Sequence, residues 1–258
     1  MLRELFQYLS TACHASWVRK MGYLYEAIAM DARYRRCQTQ WQSHFEACQQ
    51  AILQATESVE KPDTILILGA GSLKDIPLTQ LSETFERVIL LDVVFLNSAR
   101  QTALAFHNVE LMEADASNCL PELYRGNRII DKAPHWQTQI GEVDCIVSLN
   151  LVTQIPLIPV RWLIDKQGLS IEDAGKFGRK LVQNHLDWLQ SQPGVKCLIA
   201  DRQVLEYDAQ GHQVDAFDPA WEVTLPEPSI EWDWEVVPLS ESSTVSSQIN
   251  RVGVTIWR

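Results

Sequence analysis

The chain has no run of 18 apolar residues, no C-x-x-C pair, no H-E-x-x-H motif, and few basic side chains toward its end. Each absence excludes a class. Without such a run no helix is long and apolar enough to span a bilayer. The first segment, MLRELFQYLSTACHASW, is interrupted by Arg3, Glu4 and Gln7, where a signal peptide needs an unbroken apolar stretch. The six cysteines, Cys13, Cys37, Cys48, Cys119, Cys145 and Cys197, are scattered, so they are read as reduced thiols of a cytoplasmic protein. No Cys/His cluster is apparent and no metal is expected. Residues 201–258 hold three basic and eleven acidic side chains within a net charge of −11. A surface of that sign disfavours nucleic acid as a partner, because nonspecific binding depends on Lys and Arg neutralising phosphates.

What is present is organised around Thr64 to Asp92, TILILGAGSLKDIPLTQLSETFERVILLD. It reads as a buried strand, a glycine turn (Gly69-Ala70-Gly71), a helix of about ten residues, and a second buried strand ending in Asp92, the pattern of a βαβ unit in a parallel sheet. Asp92 follows Gly71 by 21 residues, the spacing at which a carboxylate reaches ribose hydroxyls in nucleoside-binding folds. Lys74 stands where a dinucleotide fingerprint has its last glycine. Asp75 falls in the first turn of the predicted helix, where its charge would repel a pyrophosphate. S-adenosylmethionine has no phosphate and carries two positive groups, so it tolerates that carboxylate.

With the glycine turn LGAG, the acidic strand end LLD, a third strand ending in VELMEAD and a fourth, VDCIVSLN, the chain resembles the class I S-adenosylmethionine-dependent methyltransferases over roughly residues 60 to 258. The run GSLKDIPL is similar to a little-characterised bacterial branch, and the third glycine of the commonest family form is missing near Leu73. The resemblance implies an α/β, Rossmann-like fold: a mostly parallel seven-stranded sheet with an antiparallel C-terminal strand and an N-terminal helical cap. It divides the chain into a cap, 1–61, and a cofactor-binding domain, 62–258, with a substrate insertion near 151–176 and an extra β segment near 203–217. Gly69, Ala70, Gly71, Asp92, Asp115, Ala116 and Asn150 become the cofactor-binding candidates. Asp115 and Ala116 would meet the adenine; the alternative is an Asx turn over Asp115 to Asn118. Asn150 ends the fourth strand, where an acceptor would approach the sulfonium, although the signature of the amino-methyltransferases is absent.

The flanking segments carry weaker signals. Residues 1–60 contain no proline and only Gly22, and read as helical. Within them Trp41, Phe45, Cys48, Ile52 and Ala55 mark one apolar helix face. Arg33 and Arg36 would share a face, either holding an anion or lying in a salt-bridged surface. Ser170 to Asp173 resembles a capping box, and His185 on the following helix is read as packing. His135 in a long connection is read as structural or exposed. Asp201, Glu206 and His212 are possible acids or bases beyond the fifth strand. Trp232 and Trp234 would share a strand face, packing in the core or stacking on a ring.

The leading expectation is methyl transfer to a small or medium-sized molecule, with no catalytic residue assigned and no oligomeric state indicated. Two alternatives stay open: transfer of an aminopropyl or aminocarboxypropyl group, and a non-catalytic Rossmann-like binding protein.

Overall fold

The computed structural model describes residues 2–130, 134–241 and 246–258. Four helices come first: α1 (Leu2–Ser10), α2 (Ser16–Met21), α3 (Tyr23–Arg36) and α4 (Gln38–Thr56). Then follow β1 (Thr64–Leu68), α5 (Leu78–Thr84), β2 (Arg87–Asp92), α6 (Asn97–Ala103), β3 (Val109–Glu113), α7 (Leu120–Tyr124), α8 (Gln137–Ile140) and β4 (Cys145–Leu149). The last part holds α9 (Leu157–Gln167), α10 (Ile171–Ser191), β5 (Val195–Asp208), β6 (Gln213–Phe217), β7 (Ile230–Val237) and β8 (Ser246–Trp257).

The strands form one sheet in the order β3-β2-β1-β4-β5-β8-β7, with β6 paired to β5 off that path. Strands β1 to β5 run parallel and β8 runs antiparallel to β5. This is the expected mostly parallel sheet with an antiparallel C-terminal strand, enlarged to eight strands by β6. The order reverses between β1 and β4. Ligands of open α/β sheets bind at such a reversal, outside the carboxyl ends of the strands.

The central strands are apolar because both faces are covered. On one face Ile65, Ile67, Val88, Leu90 and Val147 pack with Trp41, Phe45, Cys48, Ile52 and Ala55 of α4, so the predicted apolar stripe is buried as a unit. On the other, Leu66, Leu68, Ile89, Leu91 and Leu198 meet Val182, Leu186 and Leu189 of α10. That helix starts as its sequence indicates: the Ser170 hydroxyl accepts from the Asp173 N–H at 3.1 Å. A third cluster lies over the carboxyl ends of the strands. There Trp17, Val18, Leu24 and Ile28 pack on Leu120, Leu123, Leu163 and Phe177, holding α2 and α3 against α7, α9 and the start of α10. No helix among the described residues is long and apolar enough to cross a membrane.

Two elements depart from expectation. Helix α5 has seven residues, not about ten, and begins at Leu78. Pro77 is the cause: the residue before a proline is pushed out of the helical region, so residues 72–77 form turns and Asp75 is not in a helical first turn. Strand β5 does not stop near Asp201 but runs to Asp208. A bulge in the β5–β8 register between Asp201 and Gln203 marks where β5 leaves β4 behind. Beyond it, the side of β5 that β4 has vacated is taken by β6, which overhangs the strand ends.

Candidate functional site

A cavity of about 1300 Å³ opens at the carboxyl ends of β1, β2, β4 and β5, between the sheet and the N-terminal helices. Each parallel strand delivers a residue to it. Gly69 and Gly71 follow β1, Asp92 ends β2, Asp115 and Ala116 follow β3, Asn150 follows β4, and Asp201 comes from β5. Six of the seven sequence-derived candidates therefore line one space. Ala70 does not: its methyl is buried in the core, 1% exposed, and its N–H donates to the Leu91 carbonyl.

The glycine turn is built for close approach. Gly69 adopts φ +81°, and a Cβ there would sit 2.6 Å from the Leu149 carbonyl oxygen. No side chain fits. Its N–H donates to the Leu91 carbonyl at 2.9 Å, bending the chain sharply off β1. Gly71 donates its N–H to Asp92 Oδ2 at 2.8 Å, and the Val93 N–H donates to Asp92 Oδ1 at 2.7 Å. The Asp92 carboxylate is thereby fixed in orientation at the cavity wall. Burial pushes its carboxyl up to about 6, against the pull of those backbone N–H groups. Two residues later, Leu73 holds φ +61°, a conformation that favours glycine.

Asp115 plays the role of an Asx turn and helix cap. Its Oδ1 accepts from the Ser117 N–H and hydroxyl, and its Oδ2 from the N–H groups of Cys119 and Leu120 at the start of α7. The carboxylate is thus committed to local backbone while the residue still faces the cavity.

Asn150 sits at φ +48° with 9% exposure. Its backbone N–H donates to the Ile199 carbonyl, and its Nδ2 donates to the Cys48 sulfur at 3.7 Å and lies 3.3 Å from His44 Nε2. His44 is a residue the sequence reading did not single out. It is stacked on Trp234 with ring centroids 3.8 Å apart and 3° between the planes, and Trp232 Nε1–H donates to its Nδ1. Burial pushes its imidazole down to about 3, so it stays neutral. His44, Cys48 and Asp75 bring one potential ligand atom each within 4.8 Å of one another. His44 and Cys48 stand four apart on one face of α4, but no spacing connects them to Asp75, which reaches them only through the turns that replace the start of the helix.

The cavity contains further groups that were named without a place, or missed. Asp201 is 5% exposed, and its Oδ1 has no partner among the described residues; Thr153 Oγ1 lies 3.5 Å from its Oδ2, and the Asn250 side chain stands nearby. Burial pushes its carboxyl up to about 6. The other two acid/base candidates, Glu206 and His212, do not line the cavity, and His212 pairs with Asp208 at 3.3 Å. Arg33 and Arg36 do not line it either; Arg36 is ion-paired with Glu241 at 2.6 Å. The cations that do reach the wall are Lys74, Arg161, Lys176 and Arg179; Lys74 pairs with Asp31 at 3.2 Å and lies 4.4 Å over the Tyr34 ring. His185 is buried against Ser148 Oγ at 2.9 Å, a packing role in the sheet, and His135 is exposed.

The rim is closed by the segment after β6. Gly178 of α10 leaves room for the Trp221 ring, since a Cβ there would come within 2.7 Å of it. Trp221 and Glu222 both take left-handed backbone, at φ +58° and +60°, and Glu222 pairs with Arg179. Strain in consecutive residues at a cavity mouth is the kind of feature that function retains.

No family model matches the chain, and no curated protein matches it. Among solved structures it is similar to DhpI in complex with SAH, at 13% identity and a TM-score of 0.39, covering 93% of this chain and 98% of that one. It is similar to the N-methyltransferase NodS from Bradyrhizobium japonicum in complex with S-adenosyl-L-homocysteine, at 14% identity and a TM-score of 0.36, covering 81% and 85%. A third is the 1,6-didemethyltoxoflavin-N1-methyltransferase of Burkholderia thailandensis with bound 1,6-didemethyltoxoflavin and S-adenosylhomocysteine, at 12% identity and a TM-score of 0.38, covering 90% of each chain. At this distance the fold of the present chain rests on its own strand order, and the ligands belong to those proteins.

Proposed function

We propose that this chain binds S-adenosylmethionine at the strand ends and transfers its methyl group to a small or medium-sized acceptor. The observation that carries the reading is the Gly71–Asp92 pair: a tight glycine turn after β1 locked by its own N–H onto the carboxylate that ends β2, at the reversal of the sheet. Asp92 retains acceptor capacity beyond what the backbone uses, so it can accept from a ribose hydroxyl. Gly69 and Gly71 leave the turn without side chains, which lets a nucleoside lie against backbone. The Asp115 carboxylate is filled by its cap, so the adenine contact falls to the backbone of Ala116. Asp75 and Asp92 line this wall and suit a cationic ligand better than a pyrophosphate.

When bound, S-adenosylmethionine supplies an electrophilic methyl group. The chain's part is to hold an acceptor in line and keep water out, which by itself accounts for a large share of such a rate. The wall made by α3 and α4, the β6 overhang and the Arg179–Glu222 closure serve exclusion.

A second reading is favoured by Asp75 and Asp201 in the same cavity: transfer of an aminopropyl group to a polyamine. Relative affinity for S-adenosylmethionine and its decarboxylated form separates the two.

The test is calorimetric titration with S-adenosylmethionine and S-adenosylhomocysteine, on the chain and on Asp92→Ala. Loss of a charged hydrogen-bond acceptor should weaken binding by about 10- to 100-fold, equivalent to about 1.5–3 kcal/mol. Absence of heat and of thermal shift with both ligands, on a folded sample, sinks the reading and leaves a Rossmann-like binding protein.

A further inference from the structure

Part of the cavity wall is formed by α4, the ends of β4 and β5, and strands β7 and β8. Two buried polar atoms in this wall have no partner among the described residues: Asp201 Oδ1 and Trp234 Nε1. Both residues line the cavity, and each is 5% exposed. Native structures rarely leave such atoms unsatisfied, and each costs about 1–3 kcal/mol when they do. Both line the cavity, where a bound molecule can partner them.

The two are joined by continuous structure. Asn250 of β8 is paired in register with Trp234 of β7 and with Val204 of β5, and its side chain stands beside Asp201. Trp234 stacks on His44, whose Nε2 lies 3.3 Å from Asn150. The bulge after Asp201 sets that side chain apart from the regular alternation of β5, as bulges beside functional sites do. The groups acting on Asp201 are Asn250 and Thr153, both uncharged, so no cation of the protein neutralises it. Asp75 adds a second carboxylate near Asn150 and Cys48. Against these stand aromatic rings: Tyr34, Trp41, Phe45 and Trp234 line the same space.

We propose that this part of the cavity is an acceptor compartment and that its ligand is an amine, whose N–H groups donate to Asp201 Oδ1. Calling the ligand an acceptor rests on the methyl-transfer reading; its chemistry does not. An uncharged hydroxyl could satisfy one oxygen but would leave the Asp201 charge buried and unpaired. An anion would meet two carboxylates. An ammonium satisfies both requirements, and an aromatic or apolar body attached to it matches the ring-lined wall. Trp234 Nε1–H remains available to an acceptor atom elsewhere on the ligand.

The test uses isosteric probes on the full chain, with and without saturating S-adenosylhomocysteine: 2-phenylethylamine, 2-phenylethanol and 3-phenylpropionate. A charge-assisted bond to Asp201 should give the amine at least about a tenfold advantage over the alcohol. That advantage should vanish in Asp201→Asn, whose cooperative unfolding confirms that it is folded. Equal affinities for amine and alcohol in the native chain overturn the proposal, as does an amine preference that survives in Asp201→Asn. S-adenosylhomocysteine binding without an amine preference removes the amine assignment alone. An amine preference without nucleoside binding upholds the compartment and removes the methyl-transfer reading instead.

Discussion

The indole of Trp232 donates its N–H to Nδ1 of His44 across 3.0 Å, joining β7 to α4 at the cavity wall. Tryptophan is a donor only, so His44 Nδ1 carries no proton and the neutral ring is protonated at Nε2. That proton faces the Cys48 sulfur at 3.6 Å. Cys48 in turn is pushed well up by burial and by the charges of Asp75 and Asp201, so it is a thiol.

This tautomer bears on the His44–Cys48–Asp75 group, whose atoms are close enough for a metal ion. Neither nitrogen of His44 offers a free lone pair, and the sulfur is protonated. Stoichiometric zinc at neutral pH is therefore expected to leave the thermal midpoint unchanged. Trp232→Phe strands Nδ1 and should cost about 1–3 kcal/mol in chemical denaturation. A zinc-dependent rise in the midpoint of the native chain would contradict the assigned tautomer.

The two glycines of the turn should respond differently to alanine. At Gly69 the new Cβ meets the Leu149 carbonyl at 2.6 Å and the backbone sits at φ +81°. Backbone cannot yield cheaply, so Gly69→Ala should lose more than about 3 kcal/mol or fail to fold. At Gly71 the Cβ meets only Asp92 Oδ2, at 3.3 Å. Gly71→Ala should fold, with a cost of about 1–2 kcal/mol and weakened nucleoside binding, because it displaces the carboxylate. Urea unfolding of both variants decides; equal losses would mean the turn is looser than this.

Leu73 offers a test of opposing effects. Its φ of +61° costs about 1–2 kcal/mol, which glycine would relieve. Its side chain, 5% exposed in the core between sheet and α4, contributes about 1.5–3 kcal/mol by burial, and leaving a cavity adds to the loss. Leu73→Gly should therefore be net destabilising by about 1–3 kcal/mol in urea unfolding. A variant more stable than the native chain would show that strain dominates.

The parts legible in sequence were those set by local chemistry. The strands announce themselves as short apolar runs, the turn by Gly69 and Gly71, and the carboxylate that ends β2 by its 21-residue distance from Gly71. The left-handed Leu73 was foreshadowed as the position where a glycine is missing. What stayed hidden depends on chain segments far apart. Trp232 and His44 are 188 residues apart, and Asn150 and His44 106, so no spacing rule connects them. Asp201 was visible as a carboxylate after a strand, but the β8 register that buries it was not. The shortened α5 has a local signal in Pro77, which stands immediately before it.

The buried carboxylates make stability depend on pH in a definite direction. Burial pushes the Asp201 carboxyl from 3.8 up to about 6, as it does for Asp75 and Asp92. Between those values the folded chain binds more protons than the unfolded chain, so stability falls as pH rises from about 4 to about 6 and stays low above it. Asp201→Asn keeps the shape and removes one of these charges; its new N–H can use the Thr153 hydroxyl as acceptor. The variant should be more stable than the native chain by about 1–3 kcal/mol at pH 8. At pH 4, where native Asp201 is already protonated in the fold, the difference should nearly close. Because Asp75 and Asp92 remain in both proteins, their contributions cancel in the comparison. Urea unfolding at pH 4 and pH 8 measures it, and an equal difference at the two values would show that the charge carries no cost. A stability gain at pH 8 accompanied by lost amine binding would mean that a carboxylate unfavourable to the fold is held in place by what it binds.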